Sequence, residues 1–469
     1  MNRIVPLILA VALFMEQMDS TVIATALPAI ATDLGVGPIT LKLALTSYMV
    51  ALAIFIPVSG WMADRYGAKT IFRIAIMVFV VGSILCAVSG SLLAFIAARF
   101  LQGMGGAMMT PVGRLVLLRT TKRSELVSAM ALLTIPALVG PLTGPPVGGF
   151  ITTYFSWHWI FLINVPIGFV GVWLSTLYLP EVEPVETAPI DLKGFFYTAI
   201  AASGIVFGLS VMSLPALPIE IGVGATVIGF ISAVLYLLHA RRHPNPLLDL
   251  ALFRNAAFRI SALSGSIFRI AAGAIPFLMP LMLQLGFGMT PFESGLVTFI
   301  GAIGAITTKV LARRVFAAAG FRSVLIIAAI TGAATTAANA FFTPATPIVV
   351  IMGVLLAAGF CRSFFFTGIN SLGYAEIDDR QASQATSMSS VLQQISLALG
   401  VAVAAAILEG STAFHGRALS LSDFHLAFAV VAGLSLIAVV PLIGLARHAG
   451  SAVSGHGRRA ALSEDVPVK

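Results

Sequence analysis

Fourteen apolar runs, each near or above the ~20 residues that an α-helix needs to cross a bilayer, fill most of this 469-residue chain. They fall at roughly 5–31, 42–62, 71–90, 92–118, 125–153, 158–179, 190–213, 217–240, 256–286, 291–315, 321–342, 345–373, 382–409 and 424–446. Barrel strands would be about half as long and would alternate in polarity, which these runs do not. Hydrophobic residues make up 58% of the chain and charged residues 10%. A water-soluble domain of this length has no core large enough to hide that surface, whereas lipid accepts it directly. The start, Met1-Asn2-Arg3 and then an apolar run, is like a signal peptide. The run reaches about Ile30, too long for a signal sequence, and is expected to stay as a first helix. Cys86 and Cys361 both lie inside apolar runs, so neither a disulfide nor a metal cluster is expected.

The basic residues set the topology. If the N-terminus is cytoplasmic, twenty of the 27 Lys and Arg fall in inner segments, two (Lys42 and Arg417) in outer ones, and five within the runs. That bias places both termini inside. It also accounts for the net charge of +8 without a nucleic-acid partner, because the cations recur as short clusters between runs rather than as one patch. The two longest inner connections, near 180–193 and 241–255, divide the runs into six, two and six. The expected organisation is a six-helix bundle at 1–179, two linker helices at 180–240, a cytoplasmic linker at 241–255, a second six-helix bundle at 256–447 and a polar, disordered cytoplasmic tail at 448–469.

Several short motifs carry more specific information. The segment after the second run reads Gly60-Trp61-Met62-Ala63-Asp64-Arg65-Tyr66-Gly67-Ala68-Lys69. Its glycines allow a tight turn, and Asp64 can cap the next helix or pair with a cation. On composition alone it is a generic basic loop. The sequence resembles the loop between the second and third helices of the major facilitator superfamily, G-x-L-A-D-R-x-G-R-K, with Met62 and Ala68 as departures. Arg99-Phe100-Leu101-Gln102-Gly103-Met104-Gly105-Gly106 is similar to that superfamily's fourth-helix motif. Gly140-Pro141-Leu142-Thr143-Gly144-Pro145-Pro146-Val147-Gly148-Gly149 resembles the antiporter motif that marks its exporters. Gly140, Gly144 and Gly148 are also a small-residue stripe for close helix packing, and the prolines permit bending. Leu13 to Pro28, with Asp19 and Ala26-Leu27-Pro28, and Trp157 to Gly168 are similar to segments of the fourteen-helix drug:proton antiporter family. Ala24 stands where that family has Asn, and Glu16 is an additional carboxyl. The resemblance covers nearly the whole chain. It implies an all-α membrane fold of two pseudo-symmetric six-helix bundles plus two central helices. Residues expected to move during gating are Gly60, Asp64, Arg65, Gly67, Gly140, Pro141, Gly144, Pro145, Gly148 and Gly149.

Charges within the runs are the remaining signal. Glu16, Asp19, Arg99, Arg114, Arg269, Lys309 and Arg362 each cost about 2.5–3.5 kcal/mol at a helix centre, on the order of 15–25 kcal/mol together unless they meet water or each other. Glu16 and Asp19 are three apart and share a helix face. By resemblance, six of the seven lie on the helices that line a facilitator's central cavity; Lys309 lies nearer a helix end, from which it can snorkel. Fixed ion pairing is the bland reading, but five cations face two carboxyls. Asp19 is the first expectation for the proton carrier and Glu16 the second, with Arg99 as the cation that tunes them. Arg114, Arg269, Arg362 and Gln102 are expected to bind substrate. The family implies proton-coupled export of amphipathic drug-like compounds by alternating access in a bacterial inner membrane. The arginine excess favours an anionic metabolite instead, such as citrate or its metal chelate. No ATP-binding or zinc-protease motif points to an enzyme, no repeated filter sequence points to a channel, and no cofactor is implied. A monomer is expected, with a periplasmic adaptor left open.

Overall fold

The computed structural model describes residues 4–120, 126–181, 189–212, 217–377, 381–446 and 449–451. Among them the regular elements are all helical. The α-helices in order are α1 (Ile4–Asp33), α2 (Lys42–Tyr66), α3 (Ala68–Ala87), α4 (Leu92–Thr120), α5 (Leu126–Tyr154), α6 (Trp159–Leu162), α7 (Asn164–Tyr178), α8 (Leu192–Met212) and α9 (Ile219–Ala240). They continue as α10 (Ala256–Leu281), α11 (Pro291–Ala338), α12 (Ile348–Tyr374), α13 (Ala382–His415), α14 (Leu421–Ile437) and α15 (Val439–Ile443). Helices are the expected outcome, because hydrocarbon offers backbone groups no partner and only an intrahelical ladder satisfies them all. Twelve helices among the described residues are long and apolar enough to cross a membrane. The two other runs, 125–153 and 291–315, are also helical, as α5 and the first part of α11. α11 carries two runs because it turns at Gly320, whose φ of 70° only glycine adopts without strain.

The first seven helices form one bundle and α10–α15 another, with the α8–α9 hairpin against α2 of the first and α13 of the second. Within the first bundle α1 lies on α5 and α2 and α3 lie on α4; within the second α11 lies on α12 and α10 on α13. The bundles meet through α5 with α11 and α2 with α13. The lipid-facing side is plain in α9, where Ile221, Ile228, Phe230, Ile231, Val234 and Leu238 are exposed.

Two sequence expectations change here. Gly60 to Tyr66 is not a loop but the last two turns of α2, and Gly67 alone, at φ 88°, breaks the chain before α3. Of the two roles open to Asp64, capping the next helix or pairing with a cation, the structure has the second: Asp64 pairs with Arg119 of α4 at 2.6 Å. Lys42 is not a loop cation but the first residue of α2, wholly buried. The tail 452–469, residues 182–188 of the acidic connection and the side chain of Lys309 lie outside the described set.

The hairpin is tied down at its basic end. Asp191 precedes α8 and accepts hydrogen bonds from the Gly194 N–H at 2.8 Å and the Leu247 N–H at 3.3 Å, and it contacts His239 Nε2 at 2.7 Å. Tyr236 Oη donates to the Leu248 carbonyl at 2.8 Å, and the Asp249 N–H donates to Gln384 of α13 at 3.3 Å. Burial opposes the charge on Asp191, but these donors outweigh it and hold the carboxyl below the usual aspartate range. A lowered folded-state value means the stabilisation is complete above the unfolded aspartate value and is lost as pH falls through the lower one. Asp191→Ala should cost about 1–2 kcal/mol, as loss of a helix cap does. The gap to wild type in thermal unfolding should persist down to about pH 5 and close in stronger acid. A gap that stays open in strong acid would contradict this account.

Candidate functional site

α1 is held against α5 by three glycines, and that contact aims its carboxyls at α4. A Cβ on Gly140 would lie 2.9 Å from Gln17 Cβ, on Gly144 2.9 Å from Thr21 Cβ, and on Gly148 2.7 Å from Val22 Cγ2. Such approaches are open only to glycine, so the stripe is the α1–α5 seam. On another face of α5, a Cβ on Gly149 would come within 2.8 Å of Phe292 Cα in α11. The Pro145 carbonyl carbon would be 2.9 Å from a Cβ on Gly295. Gly60, by contrast, faces open space, with nothing within 4 Å of a Cβ there. Pro141 is half-buried beside the seam, and Arg65 is exposed at the end of α2.

Asp19 is fully buried and fully engaged. Its Oδ2 accepts from Arg99 Nη1 at 2.8 Å, and its Oδ1 accepts from Gln102 Nε2 and Asn164 Nδ2, both at 2.9 Å. Arg99 Nη1 also donates to Gln102 Oε1 at 2.6 Å, and its guanidinium lies 4.4 Å from the centre of the Tyr48 ring. Ser83 Oγ receives Gln102 and Asn164 and donates to the Phe161 carbonyl at 2.8 Å. A buried pair of this kind needs extra hydrogen bonds, and the network supplies them to the carboxylate, while Arg99 Nε stays buried without a hydrogen-bond partner. Gln102, expected on the substrate path, belongs to this network and has no exposed surface. Ser83 and Asn164 escape sequence reasoning because a lone Ser or Asn in an apolar run carries no charge signal.

Glu16 is bound less tightly. It accepts one hydrogen bond, from Thr110 Oγ1 of α4 at 2.7 Å, and has no cation within ion-pair distance among the described residues. The Tyr48 hydroxyl lies beside it over Gly106, buried and without a hydrogen-bond partner. Three residues of helix rise place Glu16 about 4.5 Å nearer than Asp19 to the end of the bundle that carries the basic loops. Arg114, one turn beyond Thr110 toward that end, is exposed.

In the second bundle Arg269 of α10 is buried and donates to Asn370 Oδ1 of α12 at 2.6 Å, with its guanidinium 5.5 Å from the centre of the Phe366 ring. It borders a small cleft with Ser261, Asn370, Tyr374 and Ser389, with room of about 20 Å³, on the scale of one water. No carboxylate pairs with it among the described residues. Arg362 lies eight residues before Asn370, about 12 Å along α12. Its Nη2 is 3.7 Å from a Cβ position on Gly301 of α11. The two arginines are thus held at different levels rather than converging on one point.

The Major Facilitator Superfamily profile matches residues 9–401. The chain belongs to the major facilitator superfamily. A relative named as a multidrug resistance protein, MdtD, from Pectobacterium carotovorum is 38% identical over 93% of each chain. The MdtD protein of Escherichia coli O139:H28 is 37% identical over 86% of this chain and 85% of its own. Among solved structures, a peptide transporter in complex with sulfate has a TM-score of 0.71 at 14% identity, covering 95% of both chains. A D-xylose–proton symporter has a TM-score of 0.68 at 15% identity, covering 95% of this chain and 98% of that one. These likenesses give the fold: this facilitator is a membrane transporter, not an enzyme.

The seam makes a direct prediction for the facilitator. Gly144→Leu must push α1 away from α5, carrying Glu16 and Asp19 with it. Overpacking of this kind costs about 1–3 kcal/mol, and transport should fall by at least about tenfold while Gly144→Ala is affected less. Unchanged transport by correctly inserted Gly144→Leu protein would show that the close approach is dispensable.

Proposed function

We propose that the chain is a proton-coupled exporter of small organic compounds, of the multidrug type its relatives' names indicate, working by alternating access in a bacterial inner membrane. In this reading the fourteen runs all cross, the basic loops and both termini face the cytoplasm, and the bundles at 1–179 and 256–447 rock about a midplane site. The transporter works as a monomer on a small-molecule substrate and protons.

The observation that supports it best is the contrast between the two carboxyls of α1. Asp19 is engaged by Arg99 and two side-chain amides, so in this conformation both of its oxygens are tied to neighbouring helices. Glu16 has a single hydroxyl partner and stands on the side toward the exposed Arg114. A carboxyl with one neutral donor and no ion-pair partner changes protonation at the smallest expense of structure. The geometry therefore favours Glu16 as the group that loads and releases the proton. Asp19 and Arg99 provide the fixed field around it, the reverse of the order expected from the family motif. Substrate reaching the cavity alters the hydration of Glu16 and so couples the two flows.

Anion export is the second reading, and Arg269 supports it. A buried guanidinium whose polar partner among the described residues is a neutral amide is a ready fork for a carboxylate. In everted vesicles with an imposed pH gradient, uptake of a lipophilic cation against labelled citrate separates the two. Arg269→Gln should abolish citrate flux and spare the cation.

Glu16→Gln should stop gradient-driven accumulation, by at least about tenfold, with little change in thermal stability, because it removes a proton site and keeps its volume. Asp19→Asn should instead lower stability by on the order of 3–5 kcal/mol, since it strands the buried Arg99. Uphill accumulation by Glu16→Gln at the wild-type rate would sink the assignment.

A further inference from the structure

Lys42 and Glu409 form a contact that no motif marks. Lys42 Nζ lies 2.5 Å from Glu409 Oε2, with the lysine side chain fully buried and the glutamate 10% exposed. Lys42 opens α2 and Glu409 lies in the last turns of α13, so the pair joins the first bundle to the second at the end away from the basic loops. Its neighbours at that end also cross between bundles. Gln284 Nε2 donates to the Thr25 carbonyl at 2.9 Å, and the Phe292 N–H donates to Thr153 Oγ1 at 3.1 Å. The Gly149–Phe292 and Gly295–Pro145 approaches lie at the same end.

α13 is braced there within its own bundle. Ser411 Oγ donates to Asp423 of α14 at 2.6 Å, and Arg417 pairs with the same carboxylate at 2.8 Å. Glu409 is therefore presented by a rigid corner. A lysine needs water or an anion, and here the opposite bundle supplies the anion. Any movement that opens this end separates α2 from α13 and sends both ions into water.

We infer that Lys42 and Glu409 are the outer latch of the transport cycle, an ion pair that is intact only when the outward path is shut. The inference rests on the alternating-access reading above. Loss of one partner leaves the other buried and uncompensated, which penalises the closed state and not the open one. Single variants therefore drift toward the outward-open form, and reversing the two charges restores closure.

The test uses the full chain with Cys86 and Cys361 replaced by serine. Spin labels at Gly90→Cys and Ala345→Cys report the separation of the bundles at this end by double electron–electron resonance. Lys42→Ala and Glu409→Ala should each raise the ratio of long to short distances by about tenfold. Lys42→Glu with Glu409→Lys should return it toward wild type. Wild type that lengthens in external acid while the single variants match it overturns the latch alone. Wild type fixed at one distance under every gradient overturns alternating access itself. Independently, Lys42→Cys with Glu409→Cys should stop transport under oxidising conditions and recover it with reductant. Full transport by the cross-linked protein would also overturn the latch.

Discussion

An ion in hydrocarbon must find its counter-ion or water, and the buried Asp19–Arg99 pair is where this fold meets that demand most completely. The pair fixes α1 on α4, and its two supporting donors, Gln102 of α4 and Asn164 of α7, share Ser83 of α3 as an acceptor. Four helices are thereby registered against one carboxylate. The glycine seam then sets how α5 lies on α1, and α5 in turn presents Gly149 and Pro145 to the second bundle. The position of one charge propagates through backbone contacts to the surface on which the two halves meet.

The charges sort into two kinds by their partners. Asp19 with Arg99, Lys42 with Glu409 and Arg417 with Asp423 are ion pairs with at least one fully buried member. Among the described residues, Glu16 and Arg269 have neutral hydrogen-bond partners and no ion pair. The first kind holds helices in place. The second kind keeps an unmet electrostatic demand, which a proton or a ligand can fill, and the transport chemistry of the chain is argued from it.

Much of the fold was legible because spanning length and apolar content are properties of contiguous sequence. Each apolar run holds a helix among the described residues, and the turn at Gly320 falls in the gap expected between two of them. The site was legible only where charge announced it. Glu16, Asp19 and Arg99 were singled out and do cluster, but Gln102, Ser83 and Asn164 needed the fold to reveal their common target. Lys42 was misplaced for a physical reason. A tally of cations treats any lysine at the edge of an apolar run as a loop residue, and pairing with Glu409, 367 residues away, leaves no local trace. The same limit hid Asn370, a neutral partner that no count of charges can supply to Arg269. The segment from Gly60 to Tyr66 was taken for a loop because glycine and charge suggest a turn, whereas packing carries α2 through it.

Distance along the chain is also distance in time. Asp19 and Arg99 are 80 residues apart. At about 5–20 residues per second, the ribosome releases Asp19 some 4–16 s before its cation has been made. During that interval α1 carries two carboxyls and no counter-ion, each worth about 2.5–3.5 kcal/mol against burial in lipid. α1 is therefore not free to settle in the bilayer by itself. Its carboxylate meets its counter-ion only once α4 has been made, so the order of synthesis sets the order in which the first bundle can close.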